Sequence, residues 1–593
     1  MIGYFGSVTK KTFSSSNSDQ KLDFWSAESS EYVFRLEGAN SCTATLERNG
    51  VKMLSLGLMH RNGKPFQKDQ AVVLAEILDE YEKGGDLNIM GIEGSFTVML
   101  IDTKQDRVFL FRNLVGSDFV YYTQTEKGLF FGNRLAAVAR RSGQTLSCDE
   151  QHLPHFFIYR FVSGQYTLFR NIFRLQPGEL LSWEKDKQNI KRIQSVADLL
   201  ETSRTDEQES VGRIESTMSE ILQDWSELVP NTAVLLSGGV DSTYIQVHWN
   251  NRWKETHPLS QKPKSAAVVL DHPYTKGDYD YTMSAVRECN TDHLNVMQPV
   301  LSFELMRNVI SRTGEMPNHV QSFFFLTLAQ GMKKEGIAAG ISGEGADGLF
   351  GSDGPNMLLL AKQFQKKIPG SAIRSFLATL GDCIKPGNLR SRLLRLANHH
   401  RDLNWKCHPI NFAGAFCHFP TLHHIFTDEE IAKAFTFRKD MIRDFCVSDD
   451  TDHLQWTNLA GYFGEGINTA AYWSQMFTEN DILMYSPFQD SRIIRAGCNI
   501  SNTARFVLGN PKQVLKKALA KHVSEEFVRR PKLSFGQPIF EWLSPGGCLR
   551  QAAEQIADYP FMPKKVKQQI LEKPNWILWD MLCYDIWHKE FIG

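Results

Sequence analysis

Ala233-Val234-Leu235-Leu236-Ser237-Gly238-Gly239-Val240-Asp241-Ser242 is the stretch on which the reading of this chain turns. Its four leading apolar residues read as a buried strand, and Thr243, Tyr244, Ile245 and Val247 open a helix directly afterwards. Gly238 and Gly239 carry no Cβ, so the backbone can turn tightly and come close to a ligand. The free N–H groups of the loop and of the helix start then face an anion. A Walker A loop would place a lysine here, and this loop has none. Strand, glycine loop and helix in that order predict a phosphate-binding turn in an α/β domain.

The surrounding pattern extends that reading. From about Asp206, long amphipathic helices alternate with short apolar strands, the signature of a doubly wound α/β domain, and beyond Gly351 the chain reads as mostly helical. The region before it is strand-rich. Ser95–Asp102 and Arg107–Arg112 are apolar runs with polar punctuation, and Val120-Tyr121-Tyr122 and Leu129-Phe130-Phe131 follow at hairpin spacing. Gln70–Leu78 is the one clear early helix. These elements predict a sandwich of sheets with helices outside. Ser14–Ser18 reads as a polar loop and Leu175-Gln176-Pro177-Gly178 as a turn, and the charged stretch Trp183–Gln188 closes the first domain. The expected division is residues 1–195 and 205–593.

Bulk properties narrow the class. A chain of 593 residues exceeds what one hydrophobic core serves, so two or three domains are expected. With 42% hydrophobic and 22% charged residues the composition is that of an ordinary globular protein. A net charge of −1 supplies no long-range field for nucleic acid or an anionic membrane, so neither is expected as a partner. No apolar run is long enough to span a bilayer, and Met1–Gly6 lacks the features of a secretory signal. The 10 cysteines are scattered without a C-x-x-C pair, which fits free thiols in a reducing cytoplasm.

The nucleotide loop resembles the pyrophosphate-binding loop of enzymes that split ATP between its α and β phosphates. By itself it leaves tRNA thiolation and the synthesis of NAD or GMP open. A second motif narrows the choice: the short strand Ile337–Ile341 runs into Ser342-Gly343-Glu344-Gly345-Ala346-Asp347-Gly348-Leu349-Phe350-Gly351. Together the two loops resemble the class B asparagine synthetases and their relatives, the β-lactam synthetases and lasso-peptide cyclases. The resemblance implies ATP at Ser237, Gly238, Gly239, Val240, Asp241, Ser242 and Gly343, with Asp241 and Asp347 holding Mg2+ between its phosphates. A hard cation wants oxygen ligands and neutralises departing pyrophosphate. Pro487-Phe488-Gln489-Asp490 looks like the family's Pro-Phe-Leu-Asp element. Lys512 and Lys532 match two family lysines near the phosphates, where a point charge on a long stem suits the growing negative charge. Glu344 stands where asparagine synthetases have glutamate and β-lactam synthetases have tyrosine. It can orient or deprotonate the amine, or hold a cationic group of the substrate.

The first domain resembles the family's Ntn-hydrolase-like glutamine amidotransferase domain, an α+β sandwich. Gly94-Ser95-Phe96, Phe111–Gly116 and Leu175–Gly178 carry that likeness. Glutaminases of this type need a cysteine directly after the initiator methionine, its thiolate the nucleophile and its freed amino group the base. Here Ile2 stands in that place. No Arg-Gly-Pro-Asp segment is present, and Asn62-Gly63 continues into Lys64-Pro65-Phe66. The domain is therefore expected to be an inactive scaffold or docking surface.

In the second half, Asp481–Ser486 replaces a stretch that is commonly charged in the family, and Gln489 replaces its leucine. The reading that follows is an AMP-forming amide ligase in which the amine comes from the substrate or from solution. A macrolactam synthetase acting on a peptide, with a precursor-peptide-processing protein as partner, leads. An ammonia-using asparagine-synthetase-like enzyme, a β-lactam synthetase-like cyclase acting on a small-molecule carboxylate, and an inactive partner-binding relative are the alternatives. His399, His400, Cys407, His408, Cys417, His418, His423 and His424 match no zinc spacing, and Phe323–Leu326 reads as core.

Overall fold

The computed structural model describes residues 4–11, 23–37, 44–115, 118–201, 203–270, 272–298, 300–351, 376, 380, 417–443, 458, 461–530 and 537–593. Ile2, Lys532 and the first four members of the histidine–cysteine cluster lie outside the described residues.

Two antiparallel six-stranded sheets form the first half. The strands are β1 (Phe5–Lys10), β2 (Asp23–Glu28), β3 (Tyr32–Glu37), β4 (Ala44–Arg48), β5 (Val51–Arg61) and β6 (Ile92–Asp102). They continue with β7 (Arg107–Arg112), β8 (Tyr121–Thr125), β9 (Gly128–Gly132), β10 (Phe173–Arg174), β11 (Glu179–Glu184) and β12 (Lys187–Arg192). One sheet runs β10-β8-β9-β1-β3-β2 and the other β12-β11-β7-β6-β5-β4. Between them pack Val8, Phe34, Leu54, Met99, Ile101, Leu110, Phe131 and Trp183.

The alternate residues Met53, Val98, Leu100, Phe109 and Phe111 point outward, under Val73, Leu74, Ile77 and Tyr81 of α1 (Gln70–Gly84). Both faces of this sheet are covered, which is why β6 and β7 read as unbroken apolar runs. The other sheet is covered by α2 (Leu135–Arg141) and α3 (Leu153–Tyr159), helices too short to show a clear period in the sequence. Residues Trp183–Gln188, expected to close the domain, instead form the β11–β12 hairpin. Lys185 and Asp186 there take positive φ, and the strand continues to Arg192.

The second half is built on a five-stranded parallel sheet in the order β15-β14-β13-β16-β17. Its strands are β13 (Thr232–Leu235), β14 (Lys264–Leu270), β15 (Asp292–Gln298), β16 (Ala339–Ile341) and β17 (Leu483–Tyr485). The helices α4 (Glu207–Leu228), α5 (Val240–Thr256) and α6 (Lys276–Cys289) pack on one face, and α7 (Phe303–Thr313) and α8 (Phe324–Lys334) on the other. The sheet is therefore doubly wound. The chain leaves β13 toward β14 on one side and returns to β16 on the other, so a crevice opens at the carboxyl ends of β13 and β16. Phe323, Phe324 and Leu326 are buried in the core, as the sequence predicts, and Phe325 packs against it only partly buried. No helix among the described residues is long and apolar enough to cross a membrane.

The two halves share one core. Phe119, Tyr121 and Phe130 of the first half pack in the same cluster as Met306, Val309 and Trp579 of the second. Polar contacts reinforce the seam: Arg134 Nη1 lies 2.6 Å from Glu479 Oε1, and the Gly94 N–H donates to Ser491 Oγ at 2.9 Å.

Candidate active site

The nucleotide loop sits at the crevice, between the end of β13 and the start of α5. Gly238 takes φ +77°, and a Cβ there would lie 2.5 Å from the carbonyl of Tyr281, so both backbone conformation and neighbour demand glycine. The loop is fastened by its own serines. The Ser237 N–H donates to Ser242 Oγ at 3.2 Å, and the two hydroxyls are 3.1 Å apart. Ser242 is buried while Ser237 and Gly239 face solvent, leaving that rim open to a ligand.

The acidic loop after β16 is pressed against it. A Cβ on Gly343 would stand 3.1 Å from the Ser242 nitrogen and 3.2 Å from the Asp241 Cβ. This close approach lets Asp241, in the first turn of α5, and Asp347, in the first turn of α9 (Ala346–Phe350), converge. They meet at Lys512: its Nζ lies 2.5 Å from Asp241 Oδ2 and 2.8 Å from Asp347 Oδ1. Lys512 caps the helix Gln513–Leu519 with a left-handed φ of 59°. Burial works against its charge, but the two carboxylates more than offset this and hold its ammonium protonated well above the ordinary lysine range. Two carboxylates converging on one ammonium group form a donor set that suits a hard divalent cation equally well.

Glu344 takes a different direction. Its N–H donates to Ser342 Oγ, and its Oε1 lies 3.4 Å from where a Cβ of Gly466 would stand. Gly466 ends a π-helical turn, Tyr462–Gly466, a feature often found at functional sites and one with no sequence signal. The Tyr462 hydroxyl anchors this turn by donating to the Phe488 carbonyl at 2.7 Å. Gln489, buried where the family has leucine, donates from Nε2 to the Gly466 carbonyl at 3.2 Å and touches the Gly345 position. A leucine could make no such bond. The structure thus gathers Ser237–Ser242, Gly343, Asp241, Asp347 and Lys512 at one point and sets Glu344 against the turn beside them.

Asp490 belongs to a different network. It is fully buried, accepts from Tyr485 Oη and Arg492 Nη2 at 2.9 Å each, and caps the helix Ser491–Cys498. Arg492 also reaches Asp224 Oδ2 at 2.5 Å, and Asp224 lies 2.9 Å from Nδ1 of His60 in the first half. Sequence reasoning missed Arg530. It stacks on Phe527 with its Cζ 3.5 Å from the ring centroid and donates to the Gly238 carbonyl. Its place two residues before Lys532 was the only available signal.

A family model described as "Asparagine synthase" matches residues 229–589, most of the chain and all of the elements just described from β13 onward. The chain belongs to the asparagine synthase family. A second model, "Glutamine amidotransferase domain", matches residues 64–194. Asparagine synthetase (glutamine-hydrolyzing) 1 of Bacillus subtilis strain 168 is 21% identical over 527 residues, covering 84% of this chain and 78% of its own. A putative asparagine synthetase of Mycobacterium tuberculosis strain ATCC 25618 / H37Rv is 20% identical over 544 residues, covering 87% and 79%. Among solved structures, B. subtilis glutamine phosphoribosylpyrophosphate amidotransferase complexed with ADP and GMP is similar with 7% identity and a TM-score of 0.20. That match covers 51% of this chain and 75% of that one. As a member of the asparagine synthase family the chain is an ATP-dependent carbon–nitrogen ligase that forms AMP and pyrophosphate. The two-part fold, an Ntn-hydrolase-like sandwich followed by the synthase domain, agrees with the expectation from sequence.

Proposed function

We propose that this enzyme adenylates a peptide carboxylate and closes it onto an amine of the same substrate as a macrolactam, without making ammonia from glutamine. The observation that carries the adenylation half is the convergence of Asp241, Asp347 and Lys512 beside the glycine loop at the sheet crossover. ATP lies with its phosphates along Ser237–Ser242 and Gly343. The substrate carboxylate attacks the α-phosphorus, the bond to pyrophosphate breaks, and the acyl-adenylate forms. Asp241 and Asp347 are the residues that would hold Mg2+, which supplies charge neutralisation at the phosphates when bound. Lys512 and Lys532 offset the charge growing on pyrophosphate. The amine then attacks the acyl carbon and AMP leaves. Glu344, held against the Tyr462–Gly466 turn, orients the amine, takes its proton, or binds a cationic group of the substrate.

What supports an amine from the substrate is the first domain. Ile2 stands three residues ahead of β1, where glutaminases of this type carry their nucleophilic cysteine, and a sec-butyl group can neither attack nor hydrogen-bond. A tethered amine also acts at a very high effective concentration. Purified protein should accordingly release no glutamate from glutamine above background, with or without ATP. Glutaminase turnover that survives repurification would show the domain to be active.

Retained Glu344 favours a second reading, in which ammonia is the nucleophile and the enzyme works like an asparagine synthetase. A reaction with 15N-ammonium, ATP and a candidate peptide substrate separates the two. The macrolactam should weigh one water less than its substrate, form one-to-one with AMP, and carry no 15N. A new primary amide containing 15N, formed at a rate that ammonium saturates, would overturn the macrolactam reading and leave the adenylation step in place.

A further inference from the structure

We propose that Glu215, His248 and His522 form a binding site for a divalent transition ion of the zinc class, distinct from the phosphate crevice. Each offers one ligand atom, and the three atoms lie within 4.8 Å of one another. They come from three elements: Glu215 from α4, His248 from α5, and His522 from the turn after the helix Gln513–Leu519.

His248 is the strongest witness. The residue is 6% exposed, and its Nε2 is buried with no hydrogen-bond partner. Burying a polar nitrogen without a partner costs stability, so the atom calls for an explanation. Its other nitrogen, Nδ1, is held by Ser219 Oγ at 3.2 Å. That is how a metal-bound imidazole is oriented, with one ring nitrogen fixed by a neighbour and the other left for the ion.

The other two groups complete the site. The His522 ring centroid lies 5.1 Å from that of His248, and its Nε2 is 3.3 Å from Glu215 Oε1. An ion there replaces that hydrogen bond, with the His522 proton on Nδ1. Lys521 pairs with the other carboxylate oxygen, Oε2, at 2.5 Å and leaves Oε1 turned to the rings. Two imidazoles and one carboxylate suit Zn2+ or Co2+ and do not suit Mg2+, which demands an oxygen shell. His522 has 25% of its side chain exposed, which gives the ion a way in.

Position gives the site a use. His248 lies on the helix that Asp241 opens, and His522 follows the helix that Lys512 caps. An ion joining them braces the lysine against the aspartate-bearing helix from behind the nucleotide crevice.

The test uses the untagged full chain, stripped with a chelator and titrated with Co2+ in excess Mg2+. Visible ligand-field bands should saturate at one equivalent, and the melting temperature should rise with Co2+. Ser219→Ala, which removes only the group that orients His248, should weaken Co2+ by about 10- to 100-fold. His522→Ala and Glu215→Gln should each abolish the saturable bands, and metal-free melting curves confirm that these variants are folded. Absence of saturable bands in the parent protein, or bands unchanged in the folded His522→Ala and Glu215→Gln variants, would overturn the assignment.

Discussion

Asp241→Asn and Asp347→Asn should each lower substrate-dependent pyrophosphate release by on the order of a hundredfold or more, as expected when preorganised charge at a transition state is lost. The substitution keeps the side-chain shape and removes one negative charge, so any effect on folding should be small beside the effect on rate. Both carboxylates stand within 2.8 Å of the Lys512 ammonium, which means each variant alters one charged cluster. Groups that act as a unit are not additive, and the double variant should be little slower than either single one. Pyrophosphate is the right product to follow, because it reports adenylation whatever the amine proves to be. Near-normal release from both single variants would remove Asp241 and Asp347 from the phosphate site.

The nucleotide loop was legible because everything it needs is local. The strand Thr232–Leu235, the obligatory glycine at 238 and the helix from Val240 are consecutive in the chain. The acidic loop was legible for the same reason. The contact between the two loops was not, because Gly343 meets Ser242 only after the chain has wound through β14, β15 and the helices between them. Asp490 shows the opposite failure. Its motif was visible, yet its burial, its bond to Tyr485 and its pairing with Arg492 follow from tertiary packing and place it in the seam between the halves. The Tyr462–Gly466 turn left no trace, since a π-helical turn depends on what anchors it, here the Phe488 carbonyl, rather than on its own residue types.

Arg492→Met should cost the folded protein about 3–5 kcal/mol, the penalty for removing one partner of a buried ion pair. Arg492 is the only cation in hydrogen-bond reach of Asp490 among the described residues, and it also holds Asp224. The side chains of Asp490 and Asp224 are 0% and 9% exposed, so neither can regain much hydration once the guanidinium is gone. Methionine fills a similar volume without charge, which limits the effect to electrostatics and hydrogen bonds. The pH dependence has a definite sign. Burial raises the Asp490 pKa, but Arg492 outweighs it and holds the carboxyl below its ordinary value. A depressed pKa adds stability above the unfolded-state value of about 3.9, and that stability is lost as the pH falls through the lower folded-state value. In Arg492→Met the carboxyl loses its cation and burial raises its pKa, so acid can neutralise it in the folded state. The stability gap between parent and variant should therefore narrow as the pH is lowered from about 8 to about 5. Denaturant unfolding of the full chain at several pH values measures this gap. A loss under about 1 kcal/mol at neutral pH, the range of exposed ion pairs, would mean that the Asp490–Arg492–Asp224 cluster does not hold the seam between the two halves.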